Sequence, residues 1–110
     1  MNLPKEYANL ATELIKLTNT DKVNWGRGEE TEFTLNRGGV NIEIYPYTNK
    51  DEENLHYYYF SFKKESIHDG FRVSNWDYGY DLLEELYKAA SRNAQGVRKA
   101  IDDFLSGFED

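Results

Sequence analysis

The chain has 110 residues, contains no cysteine and carries a formal net charge of −7. This length suits one domain spanning residues 1–110, and the missing cysteine excludes disulfides, thiolate nucleophiles and cysteine-based zinc sites. The acidic balance disfavours binding to nucleic-acid phosphates and to an anionic membrane surface. The first twenty residues contain no apolar run long enough for a signal peptide or a membrane span, so we expect a cytoplasmic protein.

The first element is a helix predicted over residues 4–18. Pro4 suits a first helical turn, where its missing N–H costs nothing. One face collects apolar residues at spacings of three and four, namely Tyr7, Leu10, Ala11, Leu14 and Leu17. A short strand can follow over residues 23–25, where we expect Trp25 to plug the corner between helix and sheet rather than stack on a ligand.

Four segments then alternate apolar and polar residues with period two, which predicts half-buried strands over residues 31–36, 40–47, 55–63 and 71–76. The glycines of Asn36-Arg37-Gly38-Gly39 are typical of a tight hairpin. Residues 48–54 and 64–70 are interpreted as polar loops, with Asp69-Gly70 as turn residues of the second. The sequence therefore predicts an antiparallel meander.

Two amphipathic helices close the chain, the first capped by Asp77 or Asp81 and running to about Asn93. The second carries its apolar stripe on Val97, Ile101, Phe104, Leu105 and Phe108. We expect an α+β fold of order α-β-β-β-β-α-α, a four-stranded antiparallel meander sheet with three helices on one face. The predicted core comprises Phe33, Ile42, Ile44, Phe60, Phe62, Val73, Leu86 and Ile101.

The opposite face of the predicted sheet is rich in aromatic residues. Symmetric loops would align Glu30, Tyr45, Tyr57 and Trp76 in one row, and Glu32, Glu43, Tyr59 and Ser74 in the next. Tyr and Trp dominate interface hot spots, although both also favour strands for intrinsic reasons. The candidate interface residues are Tyr45, Tyr47, Tyr57, Tyr59 and Trp76.

The sequence offers little for catalysis. His68 precedes Asp69 in the predicted loop, and adjacent residues seldom form a catalytic pair, so we interpret both as turn residues. Gly26-Arg27-Gly28 lacks the spacing of a phosphate-binding loop, and Glu32 with Glu43 resembles two solvated carboxylates. We therefore predict no enzymatic activity, no cofactor, and no catalytic or metal-binding residues.

The whole pattern resembles a poorly characterised bacterial α+β module, found alone or attached to larger proteins. Three groups of residues carry the resemblance. The first is the Lys22-Val23-Asn24-Trp25 step after the first helix. The other two lie on the closing helices: Leu83, Leu86, Tyr87, Ala90 and Arg92 on the first of them, and Gly96-Val97 with Ile101 to Leu105 at the second. At Ser91-Arg92-Asn93 the chain departs from the more continuously helical, basic stretch of that pattern. The resemblance implies a sensing or interaction module, and some relatives occur near mobile elements and defence systems.

Three functions are compatible with these features. The first is a non-enzymatic protein-interaction module, binding a protein partner or a second copy as a homodimer through the aromatic sheet face. The second is an acidic immunity or anti-defence inhibitor of a basic toxin or nuclease. The third is a small-ligand binder with Trp25 and the tyrosines around a pocket, which convergent polar groups would support.

Overall fold

The structure is a computed structural model that describes residues 2–51 and 55–108. It is an α+β fold whose helices and strands are α1 (Lys5–Asn19), β1 (Gly26–Arg27), β2 (Phe33–Arg37), β3 (Val40–Thr48), β4 (His56–Lys64), β5 (Ile67–Ser74), α2 (Tyr80–Gln95) and α3 (Val97–Ser106). The described strands form one antiparallel sheet in the order β1-β2-β3-β4-β5. The meander is confirmed, but the sheet has five strands rather than four. Residues 52–54 of the predicted loop lie outside the described residues.

The extra strand is β1, which lies three residues later than the short strand predicted over 23–25. Val23 and Trp25 are buried in the core, and β1 follows them to pair Gly26 with Thr34 and Arg27 with Phe33. Trp25 therefore plugs the corner below α1, as its position predicts. Its indole Nε1 donates to Thr18 Oγ1 at 2.9 Å.

The core lies between the sheet and two of the helices. Tyr7 of α1 packs edge-on against Phe60 and Phe71, and Tyr87 of α2 packs against Phe33 and Tyr58. Seven of the eight predicted core residues contact or belong to this core, and Phe62 among them is only partly buried. The largest fully buried apolar side chains are Ile44, Phe60, Val73, Leu83 and Leu86.

The prediction that all three helices cover the sheet is wrong for α3. This helix has no buried residue, and Ile101, predicted to be core, is 49% exposed. Gly96 ends α2 in the left-handed conformation with φ of 69°, which favours glycine, and thereby turns α3 away from the body. Neither Asp77 nor Asp81 caps α2: Gly79 takes the cap position, and Asp77 instead accepts hydrogen bonds from Ser74.

Candidate functional site

The helices that build the core leave the other face of the sheet open over the described residues. Four tyrosines of the two central strands project from this open side, because their neighbours in sequence point into the core. We call Tyr45, Tyr47, Tyr57 and Tyr59 the tyrosine face. Three of them are half-buried, and Tyr47 is 45% exposed.

The strand register joins these tyrosines in two cross-strand pairs. Tyr45 lies opposite Tyr59 with ring centroids 5.0 Å apart, and Tyr47 lies opposite Tyr57 at 6.0 Å. The sequence placed Tyr45 opposite Tyr57, so the predicted register was wrong by two residues. A shift of two preserves which face a side chain occupies, and the outward orientation of all four tyrosines is therefore confirmed.

The next strand supplies a cation rather than another aromatic ring. Arg72 lies opposite Tyr59, and its guanidinium carbon lies 5.9 Å from the ring centroid of Tyr57, within cation–π distance. Tyr57 lies opposite Ser74. Trp76, predicted to complete this row, lies beyond the end of β5 in the loop leading to α2, where it is 76% exposed.

An acidic depression of about 440 Å³ adjoins the tyrosine face, lined by Glu29, Glu30, Thr31, Glu32, Glu43, Tyr45, Pro46 and Tyr47. The sequence predicted Glu43 opposite Glu32, but Glu43 lies opposite Thr34. Glu32 folds its carboxylate onto its own loop, where Oε1 accepts the Glu29 N–H at 2.7 Å. Hydrogen bonds from backbone N–H groups hold the pKa of Glu32 below its usual value, and the largest contribution comes from the N–H of Glu32 itself. This carboxylate therefore stays ionised.

The Tyr45 hydroxyl next to this depression remains protonated. Partial burial raises the pKa of Tyr45 above its ordinary value, and the neighbouring Tyr59 raises it further. At neutral pH, the face therefore presents the neutral Tyr45 phenol near the ionised Glu32 carboxylate. It can donate hydrogen bonds, stack against apolar groups and attract a cation.

The histidines lie apart from each other. His56 begins β4, where its Nδ1 lies 3.2 Å from Thr48 Oγ1, whereas His68 lies opposite Lys63 near the other end of that strand. His68 belongs to β5 and not to the predicted loop. Because successive strand residues point to opposite faces, Asp69 lies on the helix side, where it accepts a hydrogen bond from the Tyr7 hydroxyl at 2.7 Å.

A second exposed surface, which the sequence did not predict, lies on α3. We call Val97, Ile101, Phe104 and Leu105 of α3, together with Phe108 in the turn just after the helix, the α3 stripe. The helical spacing of these residues was recognised, but it was interpreted as a core-facing pattern. The exposed fractions are 66% for Phe104, 55% for Leu105 and 73% for Phe108.

The groove of about 850 Å³ beside α3 has mixed charge. It lies between α3, the second half of α2 and the end of α1, with Lys88, Arg92 and Asp102 among its lining. Arg98 crosses it, donating to the Asn19 carbonyl at 3.0 Å and pairing with Asp21 at 3.4 Å. These two contacts hold the start of α3 against the end of α1.

The described residues contain neither a metal-binding cluster nor a membrane-spanning helix. Over residues 2–51 and 55–108, no group of three or more His, Asp or Glu side chains is placed to hold a metal ion. No described helix has the length and apolar composition needed to cross a membrane. Comparison with protein families, curated proteins and solved structures finds no match to this chain.

Proposed function

We propose that the protein is a non-enzymatic protein-interaction module that binds its partner through the tyrosine face. The observation that carries the proposal is the pair of cross-strand tyrosine contacts, Tyr45 with Tyr59 and Tyr47 with Tyr57, on a sheet face that the described helices leave open. Membership of the bacterial module that the sequence resembles is part of the same proposal.

The chemistry of the face supports protein binding. Tyrosine presents a large ring and a hydroxyl while losing little side-chain entropy on binding, and Tyr and Arg are enriched among interface hot spots. Here the rings are already packed against each other and Arg72 lies over Tyr57. A partner would meet side chains whose positions are largely set before binding.

The acidic depression indicates the kind of partner. Glu30 and Glu43 border Tyr45 and Tyr47, and no cation of the described residues lies within ion-pair distance of these two carboxylates. A partner with a lysine or arginine beside an apolar contact would satisfy both parts of the surface. Complementary charge of this kind raises the association rate more than it slows dissociation.

The same depression favours the second candidate function, an acidic immunity or anti-defence inhibitor of a basic toxin or nuclease. In that case the glutamates would dominate the contact and the tyrosines would contribute little. The small-ligand function has less support, because Trp25 is buried beneath α1 instead of lining a pocket with the tyrosines.

The test is affinity capture from the cells that produce the protein, comparing three double variants. Tyr47→Ser with Tyr57→Ser removes rings from the tyrosine face, Glu30→Lys with Glu43→Lys reverses the depression, and Glu6→Lys with Glu13→Lys makes the same charge change on α1 as a control. Circular dichroism checks that each variant is folded.

We expect the tyrosine variant to lose a specific co-purifying protein and the α1 variant to retain it. Loss only in the depression variant would replace the interaction module with the acidic inhibitor. Retention in both the tyrosine and the depression variants would show that this face is not the binding surface.

A further inference from the structure

Four of the eight large apolar side chains that are exposed among the described residues lie on α3 or in the turn just after it. Ile101, Phe104, Leu105 and Phe108 are each about half to three-quarters exposed, and the Phe104 and Phe108 rings contact each other at 5.2 Å. Contiguous exposed apolar surface of this kind usually marks a contact site.

The helix that carries the stripe is held in place at its start. Gly96 caps the end of α2 with its N–H on the Arg92 and Asn93 carbonyls, and its own carbonyl accepts the Ala100 N–H at 2.9 Å. Arg98 ties the first turn of α3 to Asn19 and Asp21. The stripe is therefore presented in one direction rather than swinging freely.

We propose that the α3 stripe is the interface of a symmetric homodimer, in which α3 packs antiparallel against α3 of a second copy. This contact lies on a different element from the tyrosine face, and the proposal goes beyond the proposed function without depending on it. The tyrosine face would remain open in such a dimer.

The spacing of the stripe is the pattern of a helix–helix seam. Val97, Ile101, Phe104 and Phe108 follow one another at intervals of four, three and four residues, as the a and d positions of a coiled coil do. Phe108 lies two residues past the end of α3, and Gly107 before it keeps helical φ and ψ angles of −65° and −14°, which continues the row. Leu105 widens the seam on one side.

The seam is complementary to itself when one copy is reversed. Positions 101 and 104 are equally far from the midpoint between residues 102 and 103, and so are positions 97 and 108. A two-fold axis at that midpoint sets Ile101 against Phe104 of the partner copy, and Val97 against Phe108 of the partner copy. Every layer then pairs a β-branched residue with an aromatic ring, which is the self-complementarity that an isologous interface requires.

The residues flanking the seam permit this contact. One side carries Ala100 and Gly107, which let two helices approach closely. The opposite surface of α3 carries Lys99 and Asp103, which pair with each other at 2.9 Å. Neither sign of charge is in excess along the helix, so a second copy meets no like-charge repulsion there, and a strongly basic or acidic partner meets no complementary field.

The available area is sufficient for a weak dimer. Burying the exposed parts of two phenylalanines, an isoleucine and a leucine covers on the order of 500 Å² per copy. The total of roughly 1,000 Å² is at the lower limit for a specific interface. We therefore expect a reversible dimer, with a dissociation constant on the order of micromolar or weaker, rather than a permanent one.

Sedimentation equilibrium over a range of protein concentrations tests the dimer. We expect the wild-type protein to shift from monomer to dimer, Phe104→Glu to stay monomeric, and Lys99→Glu, on the other side of α3, to dimerise like the wild type. Because α3 has no buried residue, all three should give the same circular dichroism spectrum. A wild-type protein that is monomeric at about 1 mM, well above a micromolar dissociation constant, or a Phe104→Glu variant that dimerises normally, would overturn the proposal.

A swap of side chains tests the antiparallel register. Phe108→Val should weaken dimerisation roughly tenfold, the effect of about 1.4 kcal/mol, because it leaves valine opposite valine in two layers. Adding Val97→Phe should restore dimerisation, since each layer again pairs valine with phenylalanine. If the double variant is as weak as Phe108→Val alone, residue 97 does not face residue 108 and the proposed arrangement is wrong. The Phe104→Glu variant should still capture the partner of the tyrosine face. The dimer proposal and the proposed function can therefore fail independently of each other.

Discussion

A single amide, Asn93, joins the last turn of α2 to the loop that follows α1. Its Oδ1 accepts the backbone N–H of Trp25 at 2.7 Å, and its Nδ2 donates to the Val23 carbonyl at 3.0 Å. These bonds hold Trp25 where its indole can reach Thr18. The sequence suggested a break in the helix near Ser91-Arg92-Asn93, but α2 continues through these residues to Gln95, and Asn93 bridges to the loop from within the helix.

Replacing Asn93 by alanine should be costly despite its position near a helix end. The variant leaves the Trp25 N–H and the Val23 carbonyl without their partner in a partly buried position, which costs about 1–3 kcal/mol of unfolding free energy. Gln95→Ala is the control, because Gln95 bonds only to Ser91 of its own helix, an exposed contact. Urea unfolding measures both. Equal effects of the two substitutions would show that Asn93 does not bridge the elements.

Two buried tyrosines make stability depend on pH in the alkaline range. The pKa of Tyr7 is raised to about 12, first by burial of its hydroxyl and then by its hydrogen bond to Asp69. The pKa of Tyr58 is also raised to about 12, first by burial and then by the neighbouring Tyr80. In the unfolded chain these hydroxyls titrate near pH 10. The folded state therefore binds more protons between about pH 10 and 12, and stability falls as pH rises through that window.

We expect the urea midpoint to change little from pH 8 to pH 9 and to drop clearly by pH 11. Tyr58→Phe removes one of the two tyrosines with the largest pKa shifts, so its midpoint should fall less over the same interval. Tyr78→Phe is the control, because Tyr78 is exposed and its substitution should leave the drop unchanged. A Tyr58→Phe protein with the full wild-type drop would contradict the assignment.

At the scale of elements, the sequence predicted the helices and the strand faces but not every turn. Asp69-Gly70 looked like the turn before β5, yet the hairpin closes at Glu65 and Ser66, with Lys64 opposite Ile67. Glu65 has φ of 53°, a conformation that its residue type does not predict. This misplaced turn explains why His68 was placed in a loop and why Trp76 was placed in the strand.

Gly70 was a misleading signal because a close approach, and not a turn, requires it. It lies inside β5 next to Tyr59, and a Cβ at this position would collide with the hydroxyl and ring of that tyrosine. The candidate site was thus predictable as a face, from period two. The register of its strands was not predictable, because the register depends on turn residues and on contacts that the period-two pattern does not encode.

Gly70→Ala should displace Tyr59 from the tyrosine face and destabilise the protein by about 1–3 kcal/mol. In a Tyr59→Ala background the collision is absent, so the same substitution should cost much less, which a double-mutant cycle in urea would reveal. Gly26→Ala is the control, since a Cβ there meets only ordinary contacts with Thr34. Additive effects of Gly70→Ala and Tyr59→Ala would show that the ring does not lie over the glycine.

At the scale of the whole molecule, the main departure from expectation is the position of α3. Val97, Ile101, Phe104, Leu105 and Phe108 recur at the same helical spacing whether a helix faces its own sheet or another chain. Periodicity alone could therefore predict that the stripe needs a partner, but not which partner. The left-handed cap at Gly96 and the Arg98 contacts decide the direction of α3, and the Arg98 contacts to Asn19 and Asp21 depend on tertiary structure.

This placement makes the molecule elongated, which gives the last prediction. The radius of gyration of the Cα atoms is 15.6 Å and the principal extents are 55 × 36 × 26 Å, whereas a compact chain of this length has a radius near 13 Å. Small-angle scattering of the Phe104→Glu variant, which removes any contribution from dimers, should give a radius clearly above the compact value. If α3 instead folded back over the sheet, as its stripe alone suggested, the radius would approach about 13 Å. Ile101 would then be protected from solvent, and the α3 stripe would have no surface left to offer a second copy.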